Sequence, residues 1–408
     1  MKMRNRLCTL VFGEIQLKAP PNNDKEKKST FSTNTDIKTN VVDHVLIFML
    51  QGLTGNYKQP LSYSFSEGPT NYVELANYIK NVIQELHTAG FKVLATLCNM
   101  NSNNQQAIQI LREETSSRCS SECFFVINDD EIVPLYDPSH LLKDLRNNLL
   151  TKNLQYEIGQ ESGKVAKWSH MQLLYDENPG YANNSLIPKL TENHVVPMKI
   201  NKTEVKYASQ VFSRSLAVLM GYLAEQGVLP AECTETANLF LFLDSLYDSV
   251  NGSRNKDNKH KPLLGPVTPR SVHRKTWRES LIALESMHFI NNRKIESTTP
   301  TIQGWIATLK GVQKLTTKLQ TDHRITSFWM QYLNQDELER FFEAIIRQIN
   351  QECYTYSLVQ QFQMAFREAL VRGSISVNSS SSNSDDDGST IFSKYMVDIQ
   401  EFGVTSES

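Results

Sequence analysis

The order of the apolar runs constrains this chain most. Three strand-like stretches, Leu7 to Leu17, Val45 to Leu50 and Leu61 to Phe65, come before any helical pattern. The second is a continuous apolar run and the third alternates as Leu-Ser-Tyr-Ser-Phe, both strand signatures. Polar Pro20 to Asn40 reads as an exposed loop between the first two. Asn71 with Glu74 three residues on makes a capping box, and Ala76, Ile79, Ile83 and Leu86 then recur at helical spacing until Gly90 stops the helix, predicting a helix over roughly 72–88. Phe91 to Cys98 follows as a strand, Ser102 to Arg112 as a helix, Cys123 to Ile127 as a strand and His140 to Leu150 as a helix. A β-β-β-α-β-α-β-α order predicts a three-strand meander extended by parallel strands into a mixed sheet covered by helices.

That order is the one found in ribonuclease H-like folds, and the expectation is an α/β sheet domain of this kind over residues 1–152. From 153 to 330 long stretches carry helical spacing, as in Val205 to Leu223 and Thr276 to Ile290, which predicts an all-α insertion domain. Residues 331–373 read as a helical return to the sheet, with Leu338, Phe341, Phe342, Ile345, Ile346 and Ile349 on one broad face. The segment 374–408 contains Ser379 to Ser382 and Asp385 to Asp387 and reads as a disordered tail.

Composition removes several classes. With 42 Lys and Arg against 44 Asp and Glu the net charge is −2, so no global field recruits nucleic acid and any DNA contact must be local. Six cysteines in 408 residues are too sparse for a disulfide scaffold, which predicts a reduced intracellular setting. No apolar run reaches the ~18 residues of a membrane span, and Met1 to Leu10 has no apolar core of signal-peptide length, so no membrane partner is expected.

Four motifs, in order, resemble the P-element transposases and their THAP-domain relatives. They are Leu50-Gln51-Gly52-Leu53 through Tyr57-Lys58-Gln59-Pro60-Leu61; Cys98-Asn99-Met100-Asn101-Ser102-Asn103-Asn104; Leu135-Tyr136-Asp137-Pro138-Ser139-His140 with Arg146-Asn147-Asn148; and Leu333 to Phe342. The resemblance implies a ribonuclease H-like domain interrupted by a helical GTP-binding insertion, cut-and-paste DNA chemistry and a nuclear location. It also implies an upstream zinc-dependent THAP domain and a coiled coil. Neither pattern occurs in this sequence, so site-specific recognition of transposon DNA is not expected of these residues.

Strand transfer of this kind uses two Mg²⁺ ions, which need hard anionic oxygen ligands. The resemblance puts the three carboxylates at positions where this sequence has Gly13, Asn99 and Glu339. Only Glu339 is acidic, and the loss of two negative charges predicts that metal binding and turnover collapse. Glu14 is a poor stand-in because successive strand side chains face opposite sides. Asp129-Asp130-Glu131 reads as a solvated turn, with recruitment to the metal site as the rival reading. Asp137 and His140, which the resemblance puts near the active site, read as a helix cap and a packed side chain, with direct chemistry as the alternative.

For the insertion the resemblance implies GTP, with Tyr247 stacking on the base, Asp248 on the guanine edge and Asn251 in the same run. Lys189, Val205 and Asp336 fall at other family contact positions. A carboxylate accepts from guanine N1 and N2 together and repels adenine's acceptor edge. Glu204 stands where the family has Lys and adds repulsion at the phosphate end, near Lys199, Lys202 and Lys206. No Gly-rich Walker loop is present. The rival reading makes Tyr247 and Asp248 ordinary helix residues. Arg254, Lys256, Lys259, Lys261, Arg270, Arg274 and Lys275 against Asp257 make the segment 254–275 basic, either a DNA-backbone contact or a solvated loop.

The functional expectation is a transposase-derived protein, degenerate at its metal site, that binds DNA backbone, GTP or related subunits, including a homo-oligomer. The rivals are an active Mg²⁺-dependent transposase or nuclease, with ligands from Asp129, Asp130 or Asp137, and a decayed remnant.

Overall fold

The computed structural model describes residues 6–17, 42–55, 57–116, 123–159, 161–177, 190–252, 261–291, 294–296, 299–351 and 357–379. The chain forms two compact units. The first comprises Met1–Ser120, Phe125–Ile132 and Gln335–Ser408, and the second Ser121–Phe124 and Val133–Asn334.

The first unit begins with β1 (Leu7–Gln16), β2 (His44–Gly52) and β3 (Lys58–Ser66), then α1 (Tyr72–Thr88), β4 (Lys92–Cys98), α2 (Ser102–Ser116), β5 (Phe125–Ile127) and the start of β6 (Asp130–Tyr136), which from Val133 belongs to the second unit. The sheet order is β3-β2-β1-β4-β6-β5. β1 to β3 form an antiparallel meander and β1 pairs with β4 in parallel, giving the expected mixed sheet. β1 and β2 are inner strands, buried along nearly their whole length, and accordingly read as apolar runs. β3 lies at the edge, where sheets tolerate a proline, and Pro60 pairs with Met49 of β2 beside a register shift in the ladder. Asn71 caps α1 by accepting from the N–H of Val73 at 2.8 Å, and Leu75, Ala76, Ile79, Ile83 and Leu86 make its buried stripe.

One strand was missed by the sequence reading. Asn128 and Asp129 both have positive φ, 50° and 64°, so the chain reverses there in a tight hairpin and β6 pairs antiparallel with β5.

The second unit adds α3 (Pro138–Leu149), β7 (Asn153–Ile158), β8 (Glu161–Ala166), α4 (Trp168–Asp176), the short α5 (Glu192–Val195), α6 (Lys206–Val211), α7 (Arg214–Glu225), α8 (Cys233–Val250), α9 (His273–Ser286), β9 (His288–Asn291), β10 (Lys294–Ile295) and α10 (Pro300–Thr321). The insertion is therefore not all-α, a correction to the expectation above: an antiparallel sheet of order β10-β9-β7-β8 lies within it. Its strands have at most six residues, and β7 pairs with a strand more than a hundred residues away, which local periodicity cannot register. This unit also begins at Val133 and ends at Asn334, where the sequence boundaries were 153 and 330. α10 crosses β6 closely at Gly311, where a Cβ would stand 2.7 Å from Leu135 Cδ2.

The chain re-enters the first unit with α11 (Asp336–Gln351) and α12 (Leu358–Ser379). Phe362 and Phe366 of α12 pack edge-on against Tyr63 of β3 at ring separations of 5.2 and 4.8 Å, and Phe341 of α11 meets Phe366 at 5.5 Å. Each such pair adds roughly 0.5–1.5 kcal/mol beyond area burial. α12 runs six residues past Gly373, the expected end of ordered chain, and 380–408 lie outside the described residues.

Two histidines of the second unit give it a pH response. His170 beside Thr236 and His273, which donates to the carbonyl of Leu263 at 2.9 Å, are both held below the usual histidine range by burial. The folded state therefore binds protons less readily than the unfolded chain at these positions. Their contribution to stability is full above pH ~6.5 and is lost progressively as pH falls toward the depressed folded values. Urea unfolding at pH 7.5, 6.5 and 5.5 should show falling midpoints, with the loss reduced in His273→Gln.

Candidate functional site

All three positions matched to the family's carboxylates lie in the first unit. Gly13 is in β1, opposite Ile47 of β2. Asn99 directly follows β4, and Glu339 is in the first turn of α11. The pairing of β1 with β4 ends at Val11 and Leu97, and just beyond it the Gln335 side-chain amide donates to the carbonyl of Phe12 at 2.9 Å. A Cβ at position 13 would meet Leu338 Cδ2 at 3.1 Å and Gln335 Nε2 and Phe342 Cε2 at 3.4 Å. Residues 335, 338 and 342 share one helical face, and that face covers the strand where the first carboxylate would project.

Asn99 is committed to the turn that starts α2. Its side-chain oxygen accepts from Asn104 Nδ2 at 2.9 Å and from the Asn101 N–H at 3.3 Å, while Asn101 caps the helix by accepting from the Asn104 N–H at 2.7 Å. Glu14 faces away from Gly13, and its carboxylate takes both the N–H and the hydroxyl of Thr70, at 2.8 and 2.6 Å.

The replacement acids fare no better. Asp130 pairs with Lys92 at 2.9 Å, at the start of β4, whereas Asn99 follows its end. At about 3.3 Å per residue the two ends lie roughly 20 Å apart. Asp129 is exposed in the hairpin turn. Asp137, in the second unit, is 1% exposed, caps α3 by accepting from the His140 N–H at 2.9 Å, and contacts His140 Nδ1 at 3.1 Å. Among the described residues no group of three or more His, Cys, Asp or Glu is placed to hold a metal ion. One helical glutamate, an amide used in a turn and a covered glycine do not fit a pair of divalent cations.

The nucleotide candidates of the second unit are organised by α3. Ser139 and Arg146 lie seven residues apart on one face of it, about 10 Å along the axis. Ser139 Oγ contacts the Tyr247 hydroxyl at 2.9 Å, which fixes the ring near the end of α8. Arg146, 0% exposed, donates to the carbonyls of Glu204, Asn201 and Lys202 at 3.1, 3.3 and 3.2 Å and to Asn147 Oδ1 at 2.8 Å. Val205, directly before α6, is thereby positioned with Glu204, whose carboxylate lies 3.4 Å from Lys206 Nζ. Asp248 Oδ2 accepts from Lys261 Nζ at 2.7 Å. Asn251 is buried and accepts from Asn334 Nδ2 at 3.1 Å. Asp336 opens α11 in the other unit, and Lys189 lies outside the described residues.

α3 thus holds the Tyr247 ring near one end and the lysine-bearing 201–206 turn near the other. Sequence reasoning missed Arg146 and Lys261. Arg146 had a signal, since it stands in the Arg146-Asn147-Asn148 stretch that carries part of the family resemblance. Lys261 was counted only as part of a basic run.

That run is not a uniform patch. Lys261 is engaged by acids and Arg274 donates to Gln320 Oε1 at 2.5 Å, whereas Arg270 and Lys275 are exposed. Arg254, Lys256 and Lys259 lie outside the described residues.

Comparison with known proteins follows the same division. Residues 1–112 match the family described as TNP-like, RNase H N-terminal domain, and residues 139–262 that described as TNP-like, GTP-binding insertion domain. The fold is similar to that of the Drosophila P element transposase strand transfer complex, with a TM-score of 0.72 at 20% identity, over 91% of this chain and 78% of that one. A ribonuclease H-like domain with a TNP-like insertion thus defines the class. The Transposable element P transposase of Drosophila melanogaster is 25% identical over 256 residues, 62% of this chain and 31% of that protein. DNA transposase THAP9 of Homo sapiens is 26% identical over 240 residues, 57% of this chain and 25% of that protein. The chain is a relative of the P-element-type transposases, and its matches span less than a third of the length of these two relatives.

Proposed function

We propose that this protein is a transposase-derived binding protein: its sheet domain does not cut or join DNA with Mg²⁺, and its insertion binds a guanine nucleotide. The observation that carries the first half is at Gly13, which is covered by Leu338, Gln335 and Phe342 where a metal-binding carboxylate would need open space. Glu339 then has a helical position but no acidic partners at the other two sites. The second half rests on α3, which presents Tyr247 and the 201–206 turn on one face.

Tyr247 offers its ring to the base, Asp248 accepts from the guanine edge, and Lys202 and Lys206 supply cations for phosphates, reduced by Glu204. Exposed Arg270 and Lys275 supply salt-sensitive DNA-backbone contact in a nuclear setting.

Incubation of the protein with supercoiled plasmid in Mg²⁺ and in Mn²⁺ tests the first half. No nicking above background is expected. Nicking that disappears in Glu339→Gln would establish the active enzyme instead.

A further inference from the structure

The carboxylate assigned to the guanine edge already has an occupant. Asp244 and Asp248 lie one turn apart on α8, and both reach the same ammonium: Lys261 Nζ is 3.0 Å from Asp244 Oδ2 and 2.7 Å from Asp248 Oδ2. The two acids are 13% and 14% exposed and the lysine 35%. Burial pulls the Lys261 ammonium down, but the hydrogen bonds to Asp248 and Asp244 outweigh it and hold the group above the usual lysine value, so it is charged at neutral pH. Asp244 has a further donor in the backbone N–H of Arg214 at 3.1 Å, which stays in place if the lysine leaves.

We propose that Lys261 is an internal competitor for Asp248, so that guanine nucleotide binds only by displacing its ammonium. This rests on the reading of the insertion as a guanine-nucleotide site. Guanine N1–H and N2–H and the lysine N–H groups are all donors, and they converge on one carboxylate. Exchanging the cationic ammonium for neutral guanine N–H donors gives up the ion pair with Asp248 and costs affinity. The apparent affinity is reduced by the fraction of molecules in which the lysine has already moved. Adenine gains nothing from the exchange, because its N1 is an acceptor and meets the freed carboxylate with repulsion.

Calorimetric titration of the full chain with GTP and with ATP, for the natural protein, Lys261→Met and Lys261→Arg, tests this. Lys261→Met should bind GTP about tenfold more tightly, about 1.4 kcal/mol, with ATP binding unchanged, and Lys261→Arg should stay near the natural protein. A second readout needs no variant: acetylation of Lys261 by acetic anhydride, followed by mass spectrometry, should accelerate with saturating GTP and not with ATP. If the natural protein binds GTP and Lys261→Met binds it equally or less tightly, the competitor is wrong while the nucleotide site stands. Should Lys261→Met fail to fold, acetylation that GTP leaves unchanged or slows overturns the proposal. Absence of GTP heat in every protein removes the nucleotide site and the competitor with it.

Discussion

Restoring both acidic positions, Gly13→Asp together with Asn99→Asp, will leave plasmid nicking in Mg²⁺ at background and will lower stability. The Cβ of residue 13 would stand 3.1 Å from Leu338 Cδ2, tighter than ordinary packing, and the carboxylate beyond it would press into Leu338, Phe342 and the Gln335 amide. Overpacking of this kind costs about 1–3 kcal/mol, and burying a carboxylate against Leu and Phe adds to it. Asn99→Asp alone should be nearly neutral, because the Asn104 amide and the Asn101 N–H that Asn99 accepts from suit a carboxylate equally well. Urea unfolding separates the two: the midpoint should fall in Gly13→Asp and barely move in Asn99→Asp, and adding Gly13→Asp to Leu338→Ala, which itself destabilises by emptying a fully buried site, should lower the midpoint less than adding it to the natural protein. Unchanged stability in Gly13→Asp, together with metal-dependent nicking by the double variant, would mean that lost charge alone had silenced the cleft.

The parts of this fold that a sequence shows are those whose causes are local. α1 was legible because its cap, its stripe and its stop all lie within twenty residues, and the meander because β1 and β2 are buried on both faces. The β5–β6 hairpin was not, since Asn128 and Asp129 adopt positive φ in a run that reads equally well as a solvated acidic turn. Nor was the sheet of the insertion, because β7 is short and its partner β9 is remote in sequence.

The candidate site divides in the same way. The identities of Gly13 and Asn99 could be read directly, but the face of α11 that covers Gly13 is a tertiary fact more than three hundred residues away in the chain. Asp248 could be picked out by residue type, whereas its engagement with Lys261 depends on how the chain returns to α8 after the helix ends. In the basic segment, a count of charges overstated the cations available to DNA, because two of the described ones are held by Asp244, Asp248 and Gln320.

Arg146→Met should cost about 2 kcal/mol of stability and weaken nucleotide binding in the same variant. The methionine keeps the apolar stem within α3 but removes every donor: the Glu204 carbonyl and Asn147 Oδ1 lose the guanidinium, whereas the Asn201 carbonyl keeps the Glu204 N–H at 3.2 Å and the Lys202 carbonyl keeps Asn147 Nδ2 at 3.0 Å. An unmet buried acceptor costs about 1–3 kcal/mol, and with two of the three carbonyls still bonded the loss stays near that of one such group. The Ser139–Tyr247 contact at the other end of α3 does not depend on Arg146, so the base end should persist while the turn bearing Lys202 and Lys206 loses its position. Titration should therefore show GTP affinity falling further than that of guanosine, which has no phosphates to reach the turn. Equal losses for the two ligands would mean that Arg146 supports the insertion as a whole and does not position its phosphate end.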